Sequence, residues 1–234
     1  MSESICKNLE SVHQRIQQTC QQTGRNPDDI MLVAVSKTKP VQAIKTAYEC
    51  GQIHFGENRA RELQDKMGQI DIDPLRWHFV GPMQTNKIKY MVERVDWIQS
   101  IYKIKYLKEI EKRASRIDRV IRTLIQINIS KEDQKQGCTP SRLPEILEYA
   151  QSLKHVRVCG LMGMATFTTE PEDVRGEFKY LKELYEEHQS FNNGSVNLEH
   201  LSMGMTNDFE VAIEEGATMV RIGTAIFGKR NYET

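Results

Sequence analysis

Short hydrophobic runs separated by amphipathic stretches recur along the whole chain. The first run, at 31–36, opens with Met31-Leu32-Val33-Ala34-Val35 between turn-forming residues. Consecutive rather than alternating apolar positions predict a strand covered on both faces. Seven more runs follow, at 52–55, 76–80, 96–99, 121–128, 157–161, 197–201 and 218–222. The segments between them carry a helical period instead. Ile5, Leu9, Val12 and Ile16 share one face and predict a helix over 2–22, stopped by Gly24 and Pro27. Val41, Ile44, Ala47 and Tyr48 form a second face, closed by Gly51. A third helix is expected over 58–68, with Leu63 and Met67 inward. Further stripes are Ile104, Leu107, Ala114 and Ile117; then Leu143, Ile146, Leu147 and Ala150 behind Thr139-Pro140; then Val174, Phe178, Leu181 and Leu184. Asn207-Asp208-Phe209-Glu210 resembles a capping box for a helix ended by Gly216.

Strands alternating with helices predict a parallel sheet with crossover helices. Eight such units in 234 residues fit a closed (β/α)8 TIM barrel, one α/β domain over 1–234 with an extra N-terminal helix. An open doubly wound sheet would need a glycine-rich first turn, and SKTKP stands there instead. No Pro/Gly/Ser-rich linker divides the chain.

Composition narrows the function classes. Thirty-two basic side chains balance 32 acidic ones, which argues against nucleic-acid binding by bulk electrostatics. A mean hydropathy of -0.55 and the lack of a long apolar run argue against a membrane span. The polar N-terminus lacks the pattern of a secretion signal. Five dispersed cysteines suit a reducing, cytoplasmic setting and predict neither a disulfide framework nor a zinc site. No histidine spacing suggests a metal, and none is expected.

In such a barrel, chemistry gathers at the carboxyl ends of the strands. Lys37 ends the first run. A lysine emerging from core sequence either reaches for solvent, as Lys39 is expected to, or is desolvated into a nucleophilic amine able to condense with a carbonyl. After the seventh and eighth runs stand Ser202-Met203-Gly204 and Gly223-Thr224. They are either ordinary caps or a phosphate cradle formed by hydroxyls and helix-start N–H groups. An amine facing a phosphate cradle suits an aldehyde that carries a phosphate, pyridoxal 5′-phosphate (PLP). His54, His78 and His200 could be general bases, but hydrogen-bonded core or rim roles are the default. His13, His155 and His188 are expected in solvent. Arg59, Arg61, Lys87 and Lys89 are either plain surface or an attractor for anions at the pocket mouth.

The chain resembles the pyridoxal phosphate homeostasis protein family, itself similar to the N-terminal barrel of alanine racemase. The resemblance rests on VAVSKTKP at 33–40, HFGENRAREL at 54–63, WHFVGPMQTNKIK at 77–89, QINISKEDQKQG at 126–137, GLM at 160–162 and LSMGMTNDFEVAIEEGATMVRIGTAIFG at 201–228. It implies that Lys37 holds PLP as an aldimine (a Schiff base) and that Ser202, Gly223 and Thr224 bind the phosphate. It further implies that Arg221 faces the pyridine nitrogen and that Asn58 and Met203 line the cofactor. It implies a role in holding, buffering or delivering PLP, with PLP-accepting enzymes as partners, and no established catalytic residue. Two observations accompany that non-enzymatic expectation. A guanidinium does not readily give the ring nitrogen a proton, which leaves a poor electron sink. The sequence also stops after the last barrel helix, so a second domain with an opposite-face base is not expected, and neither is the dimer such a domain would support; a monomer is expected. The rival readings are a PLP-dependent racemase-like enzyme, a cofactor-free lysine aldolase, and a signalling protein shaped by its cofactor.

Overall fold

The computed structural model describes residues 2–130 and 136–229. Residues 131–135 of the QINISKEDQKQG motif and the final residues 230–234 lie outside the described set. Eight parallel strands close into a barrel in chain order. They are β1 (Met31–Val35), β2 (His54–Glu57), β3 (Arg76–Phe79), β4 (Trp97–Ile101), β5 (Ile121–Ile127), β6 (Val156–Gly163), β7 (Val196–Ser202) and β8 (Met219–Ile222). β1 pairs with both β2 and β8, so no strand edge stays open. Helix α1 (Ser2–Thr23) precedes the barrel. α2 (Val41–Glu49) and α3 (Ala60–Gln69) follow β1 and β2. α4 (Ile104–Ala114), α5 (Leu143–Ala150), α6 (Arg175–Glu187), α7 (Phe209–Glu214) and α8 (Thr224–Phe227) follow β4 to β8. After β3 the crossover is only a 3-10 run, Thr85–Tyr90.

The expected (β/α)8 barrel is therefore the fold. The second strand is displaced two residues from the expected 52–55. Gln52 is instead held by its amide, which donates to the carbonyls of Leu32 (2.8 Å) and His54 (2.6 Å).

Alternation along the strands sorts side chains into two layers. The outer layer is the core between sheet and helices, where α1 buries Ile5, Leu9, Val12 and Ile16 against α2, α7 and α8. The inner layer fills the barrel: Met31, Trp97, Leu124, Cys159, Met162 and Met219 form a separate cluster. His78 stacks on Trp97 with rings 5.7 Å apart, and His200 meets the same indole edge-on at 5.3 Å. The β6–β7 register shifts between Val158 and Gly160. Gly160 lies so close to β7 that a Cβ there would sit 1.9 Å from the His200 carbonyl oxygen.

Four local expectations are corrected. Cys6 and Cys50 are joined as a disulfide between α1 and the end of α2, with Cα atoms 5.5 Å apart; a 44-residue separation hides a proximity that only the packed helices create. Ile117 is exposed, because α4 ends at Ala114 and the chain turns out through Asp118 at φ 49. Asp208 does not box the start of α7; its Oδ1 accepts from the Met205 N–H at 2.5 Å. His155 is half-buried and paired with Glu111 at 3.0 Å rather than solvated. Among the described residues no helix is long and apolar enough to cross a membrane, and no group of three or more His, Cys, Asp or Glu could hold a metal.

Candidate functional site

Lys37 lies two residues beyond β1. The Ser36 N–H still donates to the Gly56 carbonyl at 3.0 Å, so the β1–β2 ladder runs past the strand end. Val33 and Val35 point inward, since both flank the position a Gly56 Cβ would take. Ser36 faces the helix layer, where its Oγ donates to Glu57 Oε1 at 2.6 Å. Position 37 therefore resumes the inward series of β1, and Lys37 is half-buried there.

The next residue, Thr38, has φ 65, which a β-branched side chain adopts only when neighbours enforce it. Those neighbours are specific. The Thr38 N–H donates to Glu62 Oε1 at 2.6 Å. Lys66 Nζ donates to the Ser36 carbonyl (2.9 Å), to Glu57 Oε1 (2.7 Å) and to Glu62 Oε1 (2.7 Å). Lys66 and Glu57 are both buried. Burial pushes the Glu57 carboxyl above its usual range, and the Lys66 charge pulls it back. The residues on both sides of Lys37 are thus pinned by a buried ion cluster from β2 and α3. Sequence reasoning missed this cluster; its trace was a glutamate closing a strand and a lysine nine residues on. Lys39 is also corrected: it is half-buried, and its Nζ donates to the Phe227 carbonyl at 2.8 Å. The last carbonyls of α8 lack helical partners and draw it in.

Asn58 follows β2, the strand beside β1. Its Oδ1 is buried with no hydrogen-bond partner among the described residues. A buried polar atom left in that state is costly unless a ligand satisfies it.

On the other side of β1, Arg221 on β8 is 4% exposed. Its Nη1 donates to Ser202 Oγ at 2.7 Å and its Nη2 to the Gly163 carbonyl at 2.9 Å. Burial lowers its pKa to about 10, with the nearby Asp208 charge acting the other way. It remains a cation at neutral pH. Ser202 is fully buried, and its hydroxyl donates in turn to Gln99 Oε1 at 2.6 Å. That hydrogen is therefore committed inside the barrel rather than offered at the rim. The Met203 side chain is fully buried with the main core, so any part it takes in the rim falls to its backbone. Gly204 has φ 89, a turn in which a Cβ would lie 2.6 Å from that of Ala212. Gly223 caps β8 beside Val35, and the first bonds of α8 come from Ile226 and Phe227 to the Gly223 carbonyl. The N–H groups of Thr224 and Ala225 thus lie outside the helix's own ladder.

The structure therefore brings Lys37, Asn58, Ser202, Arg221, Gly223 and Thr224 to the carboxyl-end rim of four adjoining strands, β7, β8, β1 and β2. Arg59 is exposed, while Arg61, Lys87 and Lys89 gather within 5.8 Å of the Tyr90 ring.

The chain is similar to known proteins over nearly its whole length. The family model for the alanine racemase N-terminal domain matches residues 8–231. A pyridoxal phosphate homeostasis protein of Aquifex aeolicus is 44% identical, covering 98% of this chain and all of the relative. The structure of PipY from Synechococcus elongatus with PLP bound superposes with a TM-score of 0.83 at 31% identity, covering 96% of this chain and 100% of that one. An alanine racemase of Clostridium difficile shares the fold, with a TM-score of 0.71 at 15% identity over 99% of this chain and 57% of its own.

Proposed function

The chain belongs to the pyridoxal phosphate homeostasis protein family, within the alanine racemase N-terminal domain family, and we propose on that premise that it binds PLP covalently at Lys37 and holds it for release. The observation that carries this reading is the buried Asn58 Oδ1, without a partner among the described residues, on the same rim as a half-buried lysine and a buried arginine. When bound, PLP supplies an aldehyde that condenses with a primary amine and loses water, reversibly.

This chain's residues have distinct parts in that hold. Lys37 presents the amine, on a backbone fixed by Glu57, Glu62 and Lys66. Asn58 offers an acceptor or, through its other amide atom, donors. Backbone N–H groups at Thr224 and Ala225, with the Thr224 hydroxyl, offer donors to a phosphate, and Met203 and Gly223 contribute main chain to the same rim. Arg221 carries N–H donors and no acceptor, so a pyridine nitrogen beside it stays unprotonated. That leaves a poorer electron sink, which limits carbanion chemistry without excluding it and favours keeping the cofactor over using it. A free aldehyde attacks amines at random, so a reversible store for delivery to PLP-accepting enzymes has a chemical rationale.

The test is a visible spectrum of purified protein mixed with PLP, before and after borohydride, followed by mass spectrometry of the Lys37 peptide. A band that borohydride removes, with reduced PLP on Lys37, is expected, and Lys37→Ala should lose both. An unmodified Lys37 peptide would overturn the proposal. Solvent deuterium entering the α-carbon of an amino acid in the presence of the loaded protein would replace it with the racemase-like reading.

A further inference from the structure

A single file of hydrogen bonds crosses the barrel interior, from Arg221 at one mouth to His54 near the other. Arg221 Nη1 donates to Ser202 Oγ (2.7 Å), and Ser202 Oγ donates to Gln99 Oε1 (2.6 Å). Gln99 Nε2 lies 2.8 Å from His78 Nδ1, and His78 Nε2 lies 3.0 Å from His54 Nδ1. Ser202, Gln99 and His78 are fully buried or nearly so. Ser202 and Gln99 sit on strands that are not neighbours, so the file spans the lumen rather than following the sheet. His54 borders a cleft of about 660 Å³ at the amino-end mouth, with His13, Arg25, Glu199, His200 and Thr218.

The file has only one self-consistent direction. A guanidinium has donors and no acceptor, so Ser202 accepts from Arg221, and a reversed Gln99 amide would leave the buried Ser202 hydrogen without its acceptor, Gln99 Oε1. Gln99 must then turn its oxygen to Ser202 and its NH₂ to His78. His78 Nδ1 must be bare, which puts the proton of the neutral ring on Nε2, facing His54 Nδ1. His54 in turn carries its proton on Nε2. The donor-only guanidinium and the buried hydroxyl hydrogen together set an amide orientation and two imidazole tautomers.

We propose that Gln99 and His78 are positioning residues for the cofactor site: by fixing which way Ser202 donates, they hold the Arg221 guanidinium toward the cofactor ring. This rests on the PLP reading above and assigns a part to interior residues that the cofactor never touches. The links from Arg221 to His78 are buried, so reversing one leaves two donors or two acceptors face to face, and the misfit passes along the file to Arg221.

The first arm of the test needs no cofactor. Long-range proton–nitrogen NMR of the full chain should show His78 and His54 protonated on Nε2 and bare on Nδ1. In Gln99→Glu, an isosteric change that presents acceptors to both neighbours, His78 Nδ1 should gain a proton. The second arm uses PLP. Gln99→Met, which takes away the acceptor of the Ser202 hydrogen, should shift the visible band and release PLP about tenfold faster, the worth of one buried hydrogen bond in a binding constant. His78→Gln should keep the wild-type band and rate, because its amide can accept from Gln99 and donate to His54. A purely space-filling role would not predict that rescue. A wild-type His78 protonated on Nδ1, or a Gln99→Met variant with unchanged band and release, would overturn the inference while leaving PLP binding intact. A wild-type chain that takes up no PLP would overturn the proposed function and this inference with it.

Discussion

Lys66 illustrates how one buried side chain can govern a backbone. Its ammonium is shared among Glu57, Glu62 and the Ser36 carbonyl, all within 2.9 Å. Replacing it in Lys66→Met strands a buried Glu57, and such a loss costs about 3–5 kcal/mol, measurable by urea unfolding at neutral pH. Since burial raises the Glu57 pKa, its contribution to stability is fullest below the ordinary carboxylate range and declines as pH rises through the raised value. The deficit of Lys66→Met should therefore shrink in acid. The histidines act with the opposite sign. Burial, then Arg76 and Arg122, lower the His54 pKa to about 4; burial, then His54, His200 and Arg122, hold His78 well below its usual value. Groups with depressed folded pKa values stabilise above their unfolded value and lose that contribution as pH falls. Unfolding monitored by circular dichroism should show stability declining from pH 6.5 toward about 4, and a flat profile across that interval would contradict the neutral, buried state of these rings.

At the scale of elements, helices and strands answer to different parts of the pattern. α1 has no strand of its own to cover, yet it buries a full apolar face against three helices. Leu9→Ala should cost about 2–5 kcal/mol by lost burial and an unfilled cavity, visible as a lower urea midpoint with unchanged slope. Strand positions were legible because parallel strands covered on both faces read as unbroken apolar runs. The rim was legible for a related reason: Lys37, Asn58 and Arg221 interrupt or immediately follow such runs. What stayed hidden was the inner polar file. Within a strand, an inward His78 or Gln99 cannot be told from an outward one until the register is known. The β6–β7 shift at Gly160 was equally silent, because it depends on how closely a neighbouring backbone approaches. Cys6 was hidden because its partner Cys50 lies 44 residues away, and Lys66 because an inward-facing helix lysine reads like a surface one until the packing is known.

For the whole molecule, closure is the governing property. The β1–β8 pairing seals the sheet, and the Lys39 bond to the Phe227 carbonyl fastens the first loop to the last helix. The first helix joins the same seam, where the Asn8 amide donates to the Ile226 carbonyl at 2.9 Å. Chain segments at opposite ends of the sequence are therefore neighbours in space. A circularly permuted version, with the two ends tied by a short glycine–serine tether and the backbone reopened between α5 and β6, should fold to the same far-ultraviolet spectrum. The place where the chain opens would then be dispensable to the fold, which the closed ring of strands alone would specify.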